Sequence, residues 1–212
     1  TYHDGTQEVV GTTFIDDCQW DRTFEWTPLY GAVIAHNAAE GCVSVSRSAS
    51  STTVVRNDGL VFGDGIFEID LNLVTPGAKE LSIYPYGPNK YRVTLYYPGS
   101  GATSLVLLYY NGSGWSRIGS YTYTFATGTW YTIRFEKFGT TFNVYLNGKL
   151  VITGSDSHFP SATGSMRLDG YKGETDACEY KFRNLVVIAA APDATNGIAA
   201  CIPPIGGGAR YG

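Results

Sequence analysis

Residues 130–152 constrain the fold most strongly, because three strand signals follow one another there. Side chains at 130–137 alternate with a period of two, which indicates a β-strand with one buried face. Residues 141–146 repeat the alternation. The pair Asn147-Gly148 then favours a type I′ hairpin turn, in which both central residues need φ > 0. Residues 150–153 return as a third strand, so the stretch predicts an antiparallel meander with one apolar and one polar face.

The rest of the chain carries the same short-strand pattern. Turn signals recur roughly every eight to twelve residues, and no helical period is found. Residues 66–74 alternate most clearly, and Pro85, which lacks an amide donor, is expected near a strand end or an edge. We therefore predict an all-β fold, a two-sheet antiparallel β-sandwich of the jelly-roll type. Other strands are expected at residues 42–46, 54–56, 80–86, 90–97, 104–110, 116–125, 165–169 and 179–188.

Three segments carry a resemblance to a known family. They are the meander end Tyr145-Leu-Asn-Gly-Lys-Leu-Val151, the strand Asp64-Gly-Ile-Phe-Glu-Ile-Asp-Leu-Asn-Leu73 and the closing strand Phe182-Arg-Asn-Leu-Val-Val-Ile188. Together they resemble the concanavalin A-like lectin and glucanase superfamily, including its laminin-G-like jelly rolls, over residues 14–188. The resemblance implies the fold but leaves the function open, since lectins, adhesion modules, hydrolases, lyases and capsid or fibre parts share it.

The composition limits the function classes. Hydrophobic residues make up 43% of the chain and charged residues only 16%, and 16 tyrosines are present. An average soluble domain has roughly 25% charged residues, so this balance suits an extracellular β protein. The net charge is −4 and Lys and Arg are not clustered, which argues against nucleic-acid binding. The sequence also has no apolar run of the length that a membrane-spanning helix needs.

Four cysteines, at positions 18, 42, 178 and 201, bear on the compartment. They form no Cys-x-x-Cys pair, so a zinc site is not indicated. An even number in a chain of this character predicts two disulfides and an oxidising, extracellular or cell-surface location. Three connectivities are open, and we favour Cys18–Cys42 with Cys178–Cys201. Four buried free thiols are the alternative.

The domain organisation follows from changes in composition. Residues 1–15 form an N-terminal arm or the first strand, and residues 16–188 form the sandwich. Residues 189–212 contain a Pro-Pro pair and a Gly-Gly-Gly run, and we interpret them as a C-terminal arm.

Catalysis has a weak candidate site at Glu68 and Asp70. The resemblance implies a Glu-x-Asp-x-Glu or Glu-x-Asp-x-x-Glu strand in retaining glucanases, but Asn72 and Leu73 stand where the final acid would be. An amide cannot act as a general acid, so the pattern is broken. A second acid on a neighbouring strand, such as Glu136, would be needed. We therefore lean against an enzyme and expect these side chains to be solvent-facing strand residues.

Aromatic side chains between residues 84 and 123 give the positive signal, because sugar rings stack on aromatic faces. Cross-strand packing of the same rings is the alternative. The candidate glycan-binding residues are Tyr84, Tyr86, Arg92, Tyr96, Tyr109, Trp115 and Arg134.

Two smaller features complete the candidate sites. Asn111-Gly-Ser113 is a glycosylation sequon in a predicted hairpin tip.

No cofactor motif is recognised, although the resemblance implies that a structural calcium ion could be bound by oxygen ligands. The candidate ligands are Asp16, Asp17 and Asp169. The three histidines are too far apart in sequence to have metal-ligand spacing.

These observations favour a non-catalytic extracellular surface protein. Our main hypothesis is a structural subunit of a filament or sheath, in which a terminal arm adds a strand to the next copy of the chain. A glycan-binding, lectin-like module is the close alternative. A polysaccharide hydrolase or lyase is a third.

Overall fold

The computed structural model describes residues 13–16, 18, 20–48, 52–56, 63–97, 104–173 and 176–189. Fifteen β-strands in this part of the chain form two antiparallel sheets, with a single 3₁₀ turn at Thr23–Glu25. The predicted two-sheet antiparallel β-sandwich is confirmed. Within the described ranges, no helix is long and apolar enough to cross a membrane.

Sheet 1 contains eight strands. Seven follow the order β13-β12-β11-β6-β15-β4-β3, and β1 pairs with β15 beside this path. Their bounds are β1 Thr13–Asp16, β3 Val33–Asn37, β4 Cys42–Arg47, β6 Gly65–Leu73, β11 Tyr131–Phe138, β12 Thr141–Leu146, β13 Lys149–Ser155 and β15 Cys178–Ala189.

Sheet 2 contains seven strands in the order β10-β9-β8-β7-β14-β5-β2. All of its neighbouring pairs are antiparallel. The bounds are β2 Trp26–Leu29, β5 Thr52–Arg56, β7 Glu80–Tyr84, β8 Tyr91–Tyr96, β9 Ser104–Tyr110, β10 Trp115–Thr122 and β14 Arg167–Tyr171.

The predicted meander is confirmed as β11, β12 and β13. Strand β12 pairs antiparallel with both neighbours. The turn between β12 and β13 has φ of 49° at Asn147 and 80° at Gly148, the two positive values that a type I′ turn requires. The amide side chain of Asn147 also accepts a hydrogen bond from Thr132 N at 2.9 Å, which ties the turn to β11.

The core lies between the sheets, and β6 shows how the alternating pattern builds it. Phe67, Ile69 and Leu71 are at most 5% exposed and face sheet 2. Glu68 and Asp70 point outward and are half-buried. Asn72 departs from the expectation of a solvent-facing residue, since it is 6% exposed and its Oδ1 has no hydrogen-bond partner.

The sheets approach each other closely at the edge formed by β10 and β13. A Cβ added to Gly119 would lie 2.5 Å from Ile152 Cγ2, and a Cβ added to Gly154 would lie 2.5 Å from Ile118 Cγ2. Each β-branched isoleucine thus fills the space above the glycine of the opposite strand. This reciprocal packing closes one side of the sandwich, because only glycine leaves room for the neighbouring methyl group.

The first described strand pairs with the last. Thr13 lies opposite Ile188 and Asp16 opposite Leu185, so residues 13–16 form a strand of the sandwich. Residues 1–15 were interpreted as an N-terminal arm or as the first strand, and residues 13–16 lie in a strand. Residues 1–12 and 190–212, which include most of both predicted arms, lie outside the described residues.

The favoured Cys18–Cys42 disulfide is not formed in the structure. Cys42 carries a free, buried thiol, and its Sγ lies 3.9 Å from Glu40 Oε2 as a weak hydrogen-bond donor. Burial raises the pKa of this thiol, so the neutral form is favoured. Cys201, the predicted partner of Cys178, lies outside the described residues.

Candidate functional site

The outward face of sheet 2 brings aromatic rings and arginines together. In β8, Val93 and Leu95 are fully buried toward sheet 1, so Arg92 and Tyr96 point outward by alternation. The strand register places Arg167 of β14 opposite Tyr84 of β7, and Trp115 of β10 opposite Tyr110 of β9. We define the arginine–aromatic cluster as Tyr84, Arg92, Tyr96, Tyr110, Trp115 and Arg167.

Trp115 connects the rings of this cluster. Its ring centroid lies 5.8 Å from that of Tyr84 and 5.5 Å from that of Tyr110, both with edge-to-face orientations. Arg92 Cζ lies 4.8 Å from the Trp115 centroid, and Arg167 Cζ lies 5.0 Å from the Tyr84 centroid. Both separations are within the range of cation–π contacts. The cluster therefore holds aromatic rings and positive charge side by side, with the Tyr84 side chain itself only 7% exposed.

The two guanidinium groups keep unused donors. Arg92 Nη1 and Nη2 donate to the phenol oxygens of Tyr84 and Tyr96, each at 3.4 Å, the long limit of a hydrogen bond. Arg92 Nε and Arg167 Nε are buried and have no partner. A buried donor without an acceptor is destabilising, and such groups concentrate at sites that bind a ligand or water.

Small hydroxyl side chains lie beneath and beside the cluster. Ser82 and Thr94, both at most 1% exposed, share a hydrogen bond of 2.9 Å. Thr53 Oγ1 donates to Asp169 Oδ1 at 2.9 Å, and Arg167 Nη2 donates to Asp169 Oδ2 at 3.0 Å. These bonds fix the carboxylate of Asp169 and, through it, the orientation of Arg167.

Two carboxyl groups on this face have raised pKa values. Burial raises the pKa of Glu80, and Arg92 partly opposes the effect. Burial likewise raises the pKa of Asp169, against the opposing influence of Arg167 and Thr53. Burial also raises the pKa of the Tyr84 phenol. All three shifts have the same physical cause, removal of a charged form from water.

The structure brings together four of the seven residues predicted to bind a glycan, namely Tyr84, Arg92, Tyr96 and Trp115. Tyr86 is 4% exposed and lies in the core, between the rings of Tyr91 and Phe135. The expectation that its ring is exposed is wrong, because β7 ends at Tyr84 and the chain turns inward after Pro85.

Tyr109 and Arg134 lie away from the cluster. The Tyr109 ring stacks on His158 with 4.2 Å between centroids and packs against the core. Arg134 belongs to sheet 1, where Nη2 pairs with Glu136 Oε1 at 2.6 Å and Cζ lies 5.3 Å from the Tyr145 centroid. The seven residues therefore do not form one surface.

The candidate catalytic acids lie on the outward face of sheet 1, where hydrogen bonds engage two of them. Asp70 accepts from Thr132 Oγ1 at 2.6 Å, Asn184 Nδ2 at 2.8 Å and Arg183 Nε at 3.3 Å. Glu68 lies opposite Arg134 in the ladder. Burial raises the pKa of Glu68, which Arg134 opposes.

Glu136 is also surrounded by donors. Its Oε1 pairs with Arg134, and its Oε2 accepts from Asn143 Nδ2 and from the Tyr145 hydroxyl, both at 3.2 Å. Both carboxylate oxygens of Glu136 are therefore engaged by neighbouring side chains of β11 and β12.

The calcium candidates are separated. The backbone of Asp16 lies in β1 of sheet 1, whereas Asp169 lies in β14 of sheet 2 and is paired with Arg167. Asp17 lies outside the described residues. The described ranges contain no group of three or more His, Cys, Asp or Glu side chains that could hold a metal ion. Calcium binding stays a prediction.

The sequon at Asn111 lies in the tight turn between β9 and β10. Asn111 Oδ1 accepts from the backbone amides of Ser113 and Gly114, and Nδ2 donates to Ser116 Oγ at 2.9 Å. The residue is exposed, one position from Tyr110 of the cluster. Glycosylation there stays a prediction.

Sequence reasoning missed two residues of this face, Arg167 of the cluster and Glu80. Tyr110 lies in the aromatic stretch at 84–123 but was not among the seven candidates. Arg167 shares a face with Asp169 by alternation, and that signal was present in residues 165–169. The pairing of β14 with β7 joins residues that are far apart in sequence, so no local pattern indicates it.

The comparisons with known proteins agree with this architecture. Neither a protein-family description nor a curated protein sequence matches the chain. Solved structures do. The carbohydrate-binding module CBM66 from Bacillus subtilis is 18% identical with a TM-score of 0.60, and the match covers 76% of this chain and 93% of that one. The fold is that of the concanavalin A-like lectin and glucanase jelly rolls.

Two catalytic proteins have the same fold. The Bacillus licheniformis beta-glucanase is 15% identical with a TM-score of 0.63, covering 85% of this chain and 99% of that one. A Crh5 transglycosylase in complex with NAG is 13% identical with a TM-score of 0.65, covering 87% and 86%. At these identities the likeness concerns the fold alone, and the function has to be argued from the site.

Proposed function

We propose that the protein is a non-catalytic carbohydrate-binding β-sandwich whose arginine–aromatic cluster holds the glycan. The observation that carries this proposal is the contact of Trp115 with Tyr84, Tyr110 and Arg92 on one outward face. Aromatic rings provide flat surface for the apolar side of a sugar ring, and nearby polar groups orient its hydroxyls. The structurally similar carbohydrate-binding module and beta-glucanase support the same class.

The hydrolase or lyase alternative has less support. Asp70 of the broken glucanase-like pattern and Glu136, the candidate second acid, are each engaged by three donors. Glu80 and Asp169 do lie on the cluster face with raised pKa values, but Asp169 is held by Arg167 and Thr53. A general acid has to place its proton on the substrate, and both Asp169 oxygens are already occupied by these two partners.

Replacing Trp115 with alanine is expected to reduce glycan affinity at least tenfold, since a central aromatic residue in a binding face typically contributes about 2 kcal/mol. Wild-type protein is first tested on an array of neutral and acidic glycans, and the strongest ligand is then titrated by calorimetry. Trp130→Ala is the matched control, because Trp130 directly precedes β11 of sheet 1 and contacts Arg183, with 4.2 Å between Cζ and the ring centroid.

Three outcomes would contradict the proposal. These are the absence of any ligand on the array, an affinity of Trp115→Ala equal to that of wild type, and an equal loss of affinity in both tryptophan variants. The oligosaccharide is also recovered after binding and sized by mass spectrometry. Intact recovery is expected, whereas shorter products would favour the hydrolase or lyase alternative.

The assembly hypothesis is a second proposal with its own observation. Strand β3 is an edge of sheet 1 in the described part of the chain, and Val33 on it is 61% exposed. Tyr30 and Trp20, which precede it, are 63% and 77% exposed. An exposed apolar edge of this kind is a template for pairing with another copy.

The extracellular or cell-surface location also stays a proposal, without support from a Cys18–Cys42 disulfide.

Deleting residues 1–12 tests assembly through the N-terminal arm. Negative-stain electron microscopy of the full chain is expected to show regular filaments, and the shortened chain is expected to stay folded without forming them. Strand β1, which begins at Thr13, is retained in this variant. Dispersed particles from the full chain, or filaments from both chains, would contradict the assignment of assembly to this arm.

A further inference from the structure

Arg92 differs from Arg167, the other arginine of the cluster, in that it has no direct carboxylate partner among the described residues. Among the residues that the structure describes, no carboxylate lies within salt-bridge distance of Arg92, whereas Arg167 pairs with Asp169. Two phenol oxygens at 3.4 Å are its hydrogen-bond acceptors, and its Nε is buried without a partner. An anionic ligand group would give this partly buried cation the direct charged partner that it lacks among the described residues.

The surrounding charges permit an anionic ligand. Outward charged groups of sheet 2 in the described ranges include Arg92, Arg117 and Arg167 against Glu80 and Asp169. Of the two carboxylates, Asp169 is already paired with Arg167. Arg117 adds a positive charge at the exposed end of the cluster, and its influence lowers the pKa of Tyr96 against the larger effect of burial.

The geometry also favours an oxyanion over a sugar hydroxyl. A guanidinium group is planar and presents its N–H donors as a fork that matches a carboxylate or a sulfate with two parallel bonds. Arg92 and Arg167 both lie against the Tyr84 ring, with Cζ 5.9 Å and 5.0 Å from its centroid. The two guanidinium groups therefore lie in one small region beside Trp115.

We propose that the glycan bound at the arginine–aromatic cluster is acidic, with a carboxylate or sulfate group held by Arg92 and supported by Arg167. This inference rests on the proposed function and narrows the proposed ligands from glycans in general to acidic glycans. The sugar ring stacks on Trp115 while its oxyanion accepts hydrogen bonds from the guanidinium groups.

The test compares three oligosaccharide sets of matched length by calorimetry: neutral glucans, uronic-acid oligomers and sulfated galactans. One acidic set is expected to bind at least tenfold more tightly than the neutral set. Arg92→Gln should remove that preference, reducing acidic-glycan affinity about 10- to 100-fold, as expected for hydrogen bonds to a charged group. The difference between the carboxylate and sulfate sets identifies which oxyanion is recognised.

The matched control is Arg134→Gln, which removes an arginine that lies over a tyrosine ring on the opposite sheet. It should leave both affinities unchanged, with folding of each variant checked by thermal melting. Arg92→Lys keeps the charge without the fork and should recover only part of the affinity. Equal binding of neutral and acidic sets, or an unaltered preference in Arg92→Gln, would overturn this inference while leaving the proposed function intact. Absence of any glycan binding would overturn both.

Discussion

Replacing Asp64 with alanine is expected to lower the free energy of unfolding by about 3 kcal/mol, because it removes the carboxylate that pairs with a buried lysine. Lys137 is fully buried, and its Nζ donates to Asp64 Oδ1 and, at 2.6 Å, to Pro160 O. Asp64 Oδ2 also accepts from Gly139 N at 2.6 Å. Since the Asp64 side chain is 36% exposed, water reduces the loss, and the estimate is at the lower end of the usual range of about 3–5 kcal/mol.

Two further variants separate charge from packing. Asp64→Asn keeps an acceptor for Lys137 and should be less destabilising than alanine. Lys137→Met in the alanine background removes the uncompensated ammonium group at similar volume and should restore much of the lost stability. Urea denaturation measures all four proteins. A loss below about 1 kcal/mol in Asp64→Ala, or no recovery in the double variant, would show that the pair does not have this role.

Replacing Tyr91 with alanine is expected to have a comparable or larger effect, about 4 kcal/mol, because it removes a fully buried aromatic side chain. The Tyr91 ring contacts Phe142 and Phe159, with centroids 4.7 Å and 5.6 Å away. Its hydroxyl donates to Asp156 Oδ2 at 2.8 Å and accepts from Phe159 N at 3.2 Å. The same residue therefore fills the core and holds the loop after β13.

Tyr91→Phe is the matched control for the ring. It keeps the packing and removes the hydroxyl, so a loss of about 1–2 kcal/mol is expected from the two unsatisfied partners. Hydrogen exchange should then be faster at the amide of Phe159 than at amides of β8 and β12, since the loop loses its anchor. Equal losses in the alanine and phenylalanine variants would contradict the assignment of most of the energy to ring packing.

Local sequence patterns predicted much of the fold. The period-two alternation of β6 placed Phe67, Ile69 and Leu71 in the core, and the Asn147-Gly148 pair identified its turn type. These predictions succeeded because alternation and positive φ depend on neighbouring residues only. Tyr86 was misplaced because alternation was extended past Pro85, where β7 has already ended.

The candidate site was only half predictable. Tyr84, Arg92, Tyr96 and Trp115 were selected as residue types suited to glycans, and the structure brings them together. Arg167 was missed because it reaches them through the pairing of β14 with β7. The hydrogen bonds of Glu136 could not be predicted either, because its donors come from three different positions in β11 and β12.

The sequence by itself determined an all-β sandwich, its strand faces and its main hairpin, because these follow from the chemistry of adjacent residues. The tertiary structure alone decided which outward face carries the arginine–aromatic cluster. Strand order sets which side chains become neighbours across a sheet, and that order results from packing of the whole core. Arg92 Nε and Arg167 Nε lack hydrogen-bond partners because folding buries them, with both guanidinium groups beside the ring of Tyr84.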